Sequence, residues 1–508
     1  MVEFILRSMP IFFVFLTMAA FSWIYGGSRT APLLTIMPWL WAFAFEVLLF
    51  FPQRRPYEDV ISARKRAWRG LARDPVFYFT LVFLAVILIP FVNPGLCPTC
   101  DYPAILKGAD PKPLVPFFPF CVNRMEHYGV VQWFVPSLTA MLAARHALSR
   151  AGKRMLMEMM VWNSAILAVC GFLQQGTGAE AIFWGEKKAP DQFFSTFGYV
   201  NMAGAYFTMM FAFSIGLWQH RVVETVEWAR ETAGDKKSPR EKTLIRWIRS
   251  HYALVPAALN FFAVLATLCR AAIMCTAILA LVAFLYYEVS LIFSRHDRAR
   301  RIKGAAIAAV GGIVFLVVAS VFAPKDLGKE IDTISSLGVL DRVSGKGQYH
   351  TRVATEIFKS YPLFGVGGWG YKHFCMSYMT DEELKHIQSS GGANVHNDYM
   401  QFLCEHGGVG LGCLIGIFIC LLFPICRDWC KLSRAAHFMK PDRAPPKPRA
   451  LYSLPAGAFW ILLGNAALLV HAFGDCPMRS AAVLSSFFVS MACASGYLPR
   501  DLDEEAAK

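Results

Sequence analysis

Charged residues are scarce in this chain, and their scarcity limits what kind of protein it can be. Asp, Glu, Lys and Arg make up 17% of the 508 residues, whereas a soluble domain carries about 25%. Apolar residues make up 56%, and the charges stand in clusters between long apolar runs. This excludes a large soluble protein and predicts an all-α, polytopic integral membrane protein. The formal charge of +14 does not indicate nucleic-acid binding, because the basic residues follow a membrane topology.

About twelve apolar runs are long enough to cross a hydrocarbon core of about 30 Å, which takes about 20 helical residues. They lie at 8–25, 32–51, 75–93, 129–145, 155–174, 197–218, 252–269, 271–293, 304–323, 407–426, 453–472 and 480–498. Most of the 50 Lys and Arg residues then fall on one side of the membrane. The positive-inside rule makes that side the cytoplasm and places both termini there.

Three outer loops follow from this topology, at 94–128, 175–196 and 324–406. The last is long for a structureless connection, and its helical patterning predicts a folded segment between the ninth and tenth spans. We therefore divide the chain into an N-terminal transmembrane bundle at 1–323, an outer loop at 324–406, and C-terminal spans with a short cytoplasmic tail at 407–508.

Three local motifs invite a chemical interpretation. Cys97, Cys100 and Cys121 lie in the first outer loop, where a structural disulfide, free thiols and a metal site all stay open. The stretch Gly365–Gly370 matches GxGxxG but lacks the preceding strand of a dinucleotide site, so it predicts a tight turn. The pair Asp501 and Asp503 falls in the cytoplasmic tail, where we expect solvated side chains.

The long outer loop holds the most polar pattern. Residues 350–361 predict an amphipathic helix that Pro362 bounds, with an apolar stripe of Val353, Ile357 and Phe358. Arg352 and Glu356 lie four residues apart on one face, where a surface salt bridge between them is expected. After Gly391–Gly392, Asn394 is a candidate N-cap, which would put His396 in the first turn of the next helix. The dipole of that helix would favour a neutral imidazole.

Two further polar features stand out, one in this loop and one at another outer turn. Asn397, Gln401 and Glu405 follow at helical spacing on one polar line. Arg270, at an outer hairpin turn, could recognise phosphate oxygens through its rigid fork.

The His396–Asn397 pair, followed after nine residues by Gly407 and then Gly410, resembles the hallmark of the O-antigen ligase and O-antigen polymerase superfamily. These bacterial membrane enzymes move glycans off a polyprenyl diphosphate carrier. The family's loop also carries an Arg on a helix and a Pro-x-x-Gly-x-Gly turn, which here match Arg352 and 362–367. A second family Arg matches Arg270, although Cys269 stands where a Ser is usual, and 475–479 resembles the last outer turn.

The resemblance implies a metal-independent, cofactor-free, inverting glycan transfer at the periplasmic face of the bacterial inner membrane. His396 would be the general base, and Arg270 and Arg352 would hold the diphosphate of an undecaprenyl-linked donor. Arg342 and Arg479 are further candidates for holding the diphosphate, and Asp475 is a further candidate for binding substrate. Asn397, Gln401 and Glu405 would orient His396 or the acceptor.

The acceptor stays open. We favour lipid A core, which would make the chain an O-antigen ligase. A second lipid-linked glycan would make it a polymerase, and a protein hydroxyl an O-oligosaccharyltransferase. A transporter of twelve spans is the alternative from another class. It predicts mid-membrane charges and repeated halves, neither of which is evident.

Overall fold

A computed structural model describes residues 2–24, 26, 30–55, 57–96, 112–185, 193–232, 243–292, 346–387, 394–438 and 454–498. Within these ranges the regular structure is helical except for a two-stranded antiparallel ribbon of β1 (Gly95–Leu96) and β2 (Lys112–Pro113). The helical prediction is confirmed for these residues. The predicted span at 304–323, and Cys97, Cys100 and Arg342, lie outside the described residues.

The α-helices of the described residues are numbered in chain order. They are α1 (Val2–Trp23), α2 (Thr30–Leu49), α3 (Val60–Ala72), α4 (Pro75–Leu88), α5 (Arg124–Leu142), α6 (Arg150–Gly176), α7 (Val200–Thr232), α8 (Thr243–His251), α9 (Leu254–Thr267), α10 (Arg270–Ile292), α11 (Lys346–Ser360), α12 (Gly370–Phe374), α13 (Asp381–Ile387), α14 (Asp398–Phe438), α15 (Ala456–His471) and α16 (Ala481–Ala494).

Local sequence explains where several of these helices begin. The side chains of Asp59, Asp74, Asn123 and Ser149 accept hydrogen bonds from backbone N–H groups in the first turns of α3, α4, α5 and α6. Such caps satisfy N–H groups that have no partner inside the helix. Pro75 at the start of α4 fits there because its missing N–H would not be bonded within the helix.

The structure contains helices that are long and apolar enough to span a membrane, as the sequence predicted. Helices overlap every predicted span that falls within the described residues. The segments Arg150–Gly176, Val200–Thr225, Trp247–Thr267 and Asp398–Lys431 are long and apolar enough to cross a membrane. The pair Val60–Ala72 and Pro75–Phe91, bent by 71°, would be a fifth span if counted as one. The total of twelve spans stays a prediction.

The chain forms two compact units. The first comprises Met1–Leu148, Lys329–Leu421 and Leu469–Val489. Its outer-loop residues have a core of their own, in which Val353 and Ile357 of α11 cluster with Tyr371, Phe374 and Val395. This cluster fixes α11 against the segment that leads into α14. The predicted divisions at 323 and 406 stay predictions.

The second unit comprises Ser149–Gly328, Leu422–Leu468 and Ser490–Lys508. Helix α7 packs on α6, α9 and α10. Interhelical hydrogen bonds hold these helices together, including one of 2.9 Å between the hydroxyls of Thr208 and Thr276. Small hydroxyl residues often serve this purpose between apolar helices.

Candidate functional site

The glycine motifs of the outer loop meet at a break in α14. Helical geometry fails at Gly407, where φ is 67° and ψ is −175°. The turn after α11 lies against this break. Val366 N–H donates to Cys404 O (3.0 Å), Gly367 N–H to Glu405 O (2.8 Å), and Gly408 N–H to Pro362 O (2.8 Å). These hydrogen bonds join the turn to the backbone of α14 on both sides of the break at Gly407.

Glycine is required on both sides of this contact. A Cβ at Gly407 would collide with the carbonyl oxygen of Leu363, and φ there is positive. A Cβ at Gly365, where φ is +67°, would lie 2.5 Å from Cys404 O. Only glycine adopts such backbone conformations readily with so little space. The tight turn predicted for 365–370 is confirmed, and it packs against the break in α14.

His396 lies just before α14, not in its first turn. The helix begins at Asp398, and Asn397 accepts a hydrogen bond from Met400 N–H (3.1 Å), as an N-cap does. The prediction that Asn394 caps the helix was therefore wrong by one turn. The backbone of His396 is left-handed, with φ of 56°. Such a conformation is uncommon outside glycine and often marks a functional position.

The imidazole of His396 pairs with a buried carboxylate. Its Nδ1 lies 3.3 Å from Asp475 Oδ1, with the His396 side chain 48% exposed and that of Asp475 8% exposed. An ionised carboxylate only accepts hydrogen bonds, so Nδ1 carries a proton, and in the neutral form of the ring Nε2 has the lone pair. The other ring nitrogen of His396 is thereby set up as a proton acceptor.

Opposing effects act on the Asp475 carboxyl. Burial alone would raise its pKa, but the hydrogen bond from His396, the nearby His471 and the N–H of Cys476 outweigh burial. The pKa of Asp475 therefore lies below its ordinary value. The carboxylate stays ionised at neutral pH and can stabilise a protonated imidazole beside it.

Gln401 and Glu405, two polar residues one turn apart on α14, form a chain of contacts that ends at Arg479. Gln401 accepts a hydrogen bond from Val395 N–H (3.0 Å) and donates one to Glu405 Oε1 (3.1 Å). Both carboxylate oxygens of Glu405 lie 3.1–3.3 Å from the terminal nitrogens of Arg479. The guanidinium carbon of Arg479 also lies 4.0 Å from the ring centroid of Trp369. This chain of contacts fixes the backbone next to His396.

Arg352 sits on α11 and binds a carboxylate that the sequence did not single out. Its Nε donates to Glu383 Oε1 (3.0 Å), and its Nη2 donates to Glu383 Oε2 and to Tyr378 O. The expected pairing of Arg352 with Glu356 is wrong, because Glu356 pairs with Lys359. Burial raises the pKa of the Glu383 carboxyl, but the hydrogen bonds from Arg352 and Thr380 and the positive charge of Arg352 together outweigh burial, so this pKa lies below its ordinary value.

A second imidazole adjoins the site. The ring of His350, also on α11, has its centroid 6.2 Å from that of His396, and its Nδ1 is 2.7 Å from Tyr371 Oη. Burial lowers the pKa of His350, and the charge of a protonated His396 lowers it further. His350 is therefore neutral at pH 7. In the sequence, His350 lies about one helical turn before the apolar residues of α11, and nothing in that position predicted its contact with His396.

The second unit contains Arg270, which begins α10. It follows Leu268, whose φ is 54°, and the buried Cys269. This is the sharp hairpin turn that the sequence predicted between two apolar helices. Its part in binding substrate stays a prediction, as does that of Arg342, which lies outside the described residues.

Within the described part of the chain, one group of side chains could hold a metal ion. His396, Asp475 and Cys476 each offer one ligand atom there, and the three atoms lie within 4.8 Å of one another. In the first outer loop, Cys121 is a buried free thiol that donates to Pro90 O at 3.5 Å.

Residues 255–415 match the family model described as O-Antigen ligase. The matched segment includes Arg270, Arg352 and His396, and it ends before Asp475. This match supports the resemblance to the O-antigen ligase and polymerase superfamily and, with it, a membrane enzyme of glycan transfer. No curated protein sequence matches the chain.

Proposed function

We propose that this chain transfers a glycan from undecaprenyl diphosphate, a polyprenyl carrier, to an acceptor hydroxyl at the periplasmic face of a bacterial inner membrane. We propose further that it is an O-antigen ligase and that the acceptor is lipid A core. The observation that carries this proposal is the His396–Asp475 pair (3.3 Å), in which the half-exposed imidazole belongs to the matched segment 255–415.

In this mechanism His396 is the general base. Its Nε2 takes the proton of the acceptor hydroxyl as the oxygen attacks the anomeric carbon. Asp475 holds the imidazole through Nδ1 and stabilises the imidazolium that forms, as the carboxylate of a catalytic triad does. General-base catalysis of this kind contributes about 10²–10⁴-fold to the rate. The attack comes from the face opposite the diphosphate, so the anomeric configuration inverts.

Arg352 is proposed to bind the departing diphosphate. Its contacts to Glu383 and Tyr378 use Nε and Nη2, which leaves Nη1 available for a phosphate oxygen. Fixed positive charge stabilises the negative charge that develops on a leaving group. Arg270 is proposed to join it on the strength of the family resemblance, and Arg342 as a further basic residue of the same outer loop. Because diphosphate is already a good leaving group, the proposed reaction needs no metal or cofactor.

Arg479, Glu405, Gln401 and Asn397 are proposed to position His396 instead of contacting substrate. The side chain of Arg479 is 3% exposed, and both of its terminal nitrogens face Glu405. A guanidinium held in this way is committed to a protein carboxylate. For Arg479 this replaces the expectation of a diphosphate ligand.

The test uses purified protein in lipid vesicles with an undecaprenyl-diphosphate-linked glycan and a chelator of divalent metals. Lipid A core, a second portion of lipid-linked glycan and an acceptor protein are offered separately. We expect glycan on lipid A core, and none when His396 is replaced by Ala. Lengthening of the lipid-linked glycan alone would reassign the chain to the polymerases. Glycan on the protein alone would make it an O-oligosaccharyltransferase, and movement of intact donor without bond cleavage would make it a transporter.

A further inference from the structure

The residue after the proposed orienting carboxylate is a cysteine that faces the same atom. Cys476 Sγ lies 3.5 Å from Asp475 Oδ1, on which His396 Nδ1 also converges at 3.3 Å. Three chemically different ligand atoms, one nitrogen, one oxygen and one sulfur, therefore lie within 4.8 Å of one another.

These separations suit a tetrahedral zinc ion. Zinc binds nitrogen and oxygen at about 2.0 Å and sulfur at about 2.3 Å, which places tetrahedral ligand atoms about 3.3–3.5 Å apart. The two separations from Asp475 Oδ1, of 3.3 and 3.5 Å, fall in this range, and the third, between His396 Nδ1 and Cys476 Sγ, is within 4.8 Å. A mixed nitrogen, oxygen and sulfur set favours zinc over magnesium or calcium, which prefer oxygen alone.

The surroundings support a formed site. The N–H of Cys476 donates to Asp475 Oδ1 at 2.8 Å and orients the carboxylate. Asp475 and Cys476 are buried, whereas the His396 side chain is 48% exposed. An ion can therefore reach the site past the imidazole, and three protein ligands leave a fourth position open.

We propose that His396, Asp475 and Cys476 bind one zinc ion and that this ion inhibits the enzyme. The ion takes the place of the proton on Nδ1. A neutral imidazole bound at Nδ1 carries its single proton on Nε2, so the outward nitrogen becomes a donor and cannot accept a proton. The thiol of Cys476 becomes a thiolate, so one proton is released per zinc ion. The inhibitory part of the proposal rests on the proposed role of His396, whereas zinc binding does not.

The first experiment measures binding of zinc alone to the purified protein, by competition with a fluorescent zinc indicator. We expect one zinc ion per chain and one proton released. Replacement by cobalt should give the absorption band of a thiolate bound to the metal. The Cys476→Ser variant should bind zinc more than about 10-fold more weakly and lose the cobalt band. Cys493→Ser, a matched change at another buried cysteine, should bind zinc as the wild type does.

The His396→Ala change lies at an exposed position and provides a second variant should Cys476→Ser fold poorly. It should also bind zinc more than about 10-fold more weakly. Equal zinc binding in the wild type and in both site variants would overturn the proposal, as would the lack of saturable binding to the wild type.

The second experiment measures glycan transfer as free zinc is raised. The wild type should lose transfer and regain it when a chelator is added, and Cys476→Ser should keep transfer at the same zinc concentration. Zinc bound at the site without loss of transfer would overturn the inhibitory role. A wild type that binds zinc through Cys476 but consumes no donor would refute the proposed function and leave the zinc site standing.

Discussion

The buried pair of Arg479 and Glu405 gives the sharpest prediction of stability. Four nitrogen–oxygen separations of 3.1–3.3 Å join the two groups, whose side chains are 3% and 1% exposed. Replacing Glu405 by Leu leaves a buried guanidinium without its counter-charge, which costs about 3–5 kcal/mol. The ring of Trp369 contacts the guanidinium in both proteins and does not replace the lost negative charge, so the variant should be clearly destabilised.

Arg479→Met should be destabilised to a similar degree, because it leaves a buried carboxylate alone. The double variant should lie much closer to the wild type, since replacing both charges with apolar groups is often neutral. The double-mutant cycle compares the unfolding free energies of the wild type, the two single variants and the double variant, measured by detergent titration in mixed micelles. If the two losses simply add in the double variant, the pair is not coupled and the reasoning is refuted. A folded double variant that keeps transfer would show that the guanidinium of Arg479 is not needed to bind the diphosphate.

Two further predictions concern the loop. Gly407→Ala should cost about 1–3 kcal/mol or more, because φ is +67° and a Cβ would meet Leu363 O. The thermal midpoint should show this loss, whereas Gly412→Ala, with open space around its Cβ, should not lower it. Glu383 has a lowered pKa, so its bond to Arg352 should stabilise the protein fully above pH 4.5. The advantage of the wild type over Glu383→Gln should shrink as pH falls below that value, and an advantage that grew in acid would contradict this.

Sequence pattern predicted the local elements of the site well. The stripe of Val353, Ile357 and Phe358 predicted the helix found at Lys346–Ser360, and the glycine spacing predicted the tight turn at 365–370. Periodicity and backbone sterics act over a few residues, so they can be read directly from the chain. The error of one turn at Asn394 arose because Asn397 is an equally good cap.

The partners of the charged residues could not be predicted in the same way. Asp475 is 79 residues from His396, and Glu383 is 31 residues from Arg352. Tertiary packing sets such pairs, and spacing gives no signal of them. The nearby Glu356 was the obvious partner for Arg352 on a helix, but Glu383 presents both carboxylate oxygens to the guanidinium and is the less exposed of the two acids.

The central claim is that the imidazole of His396 acts as the base in glycan transfer. The most direct test is the initial rate of donor consumption in vesicles by His396→Asn. Asn tolerates the left-handed backbone at this position and can donate to Asp475, but it cannot accept a proton as a base. We predict a rate lower by about 10²–10⁴-fold in a variant with wild-type stability. A rate close to that of the wild type would contradict the account.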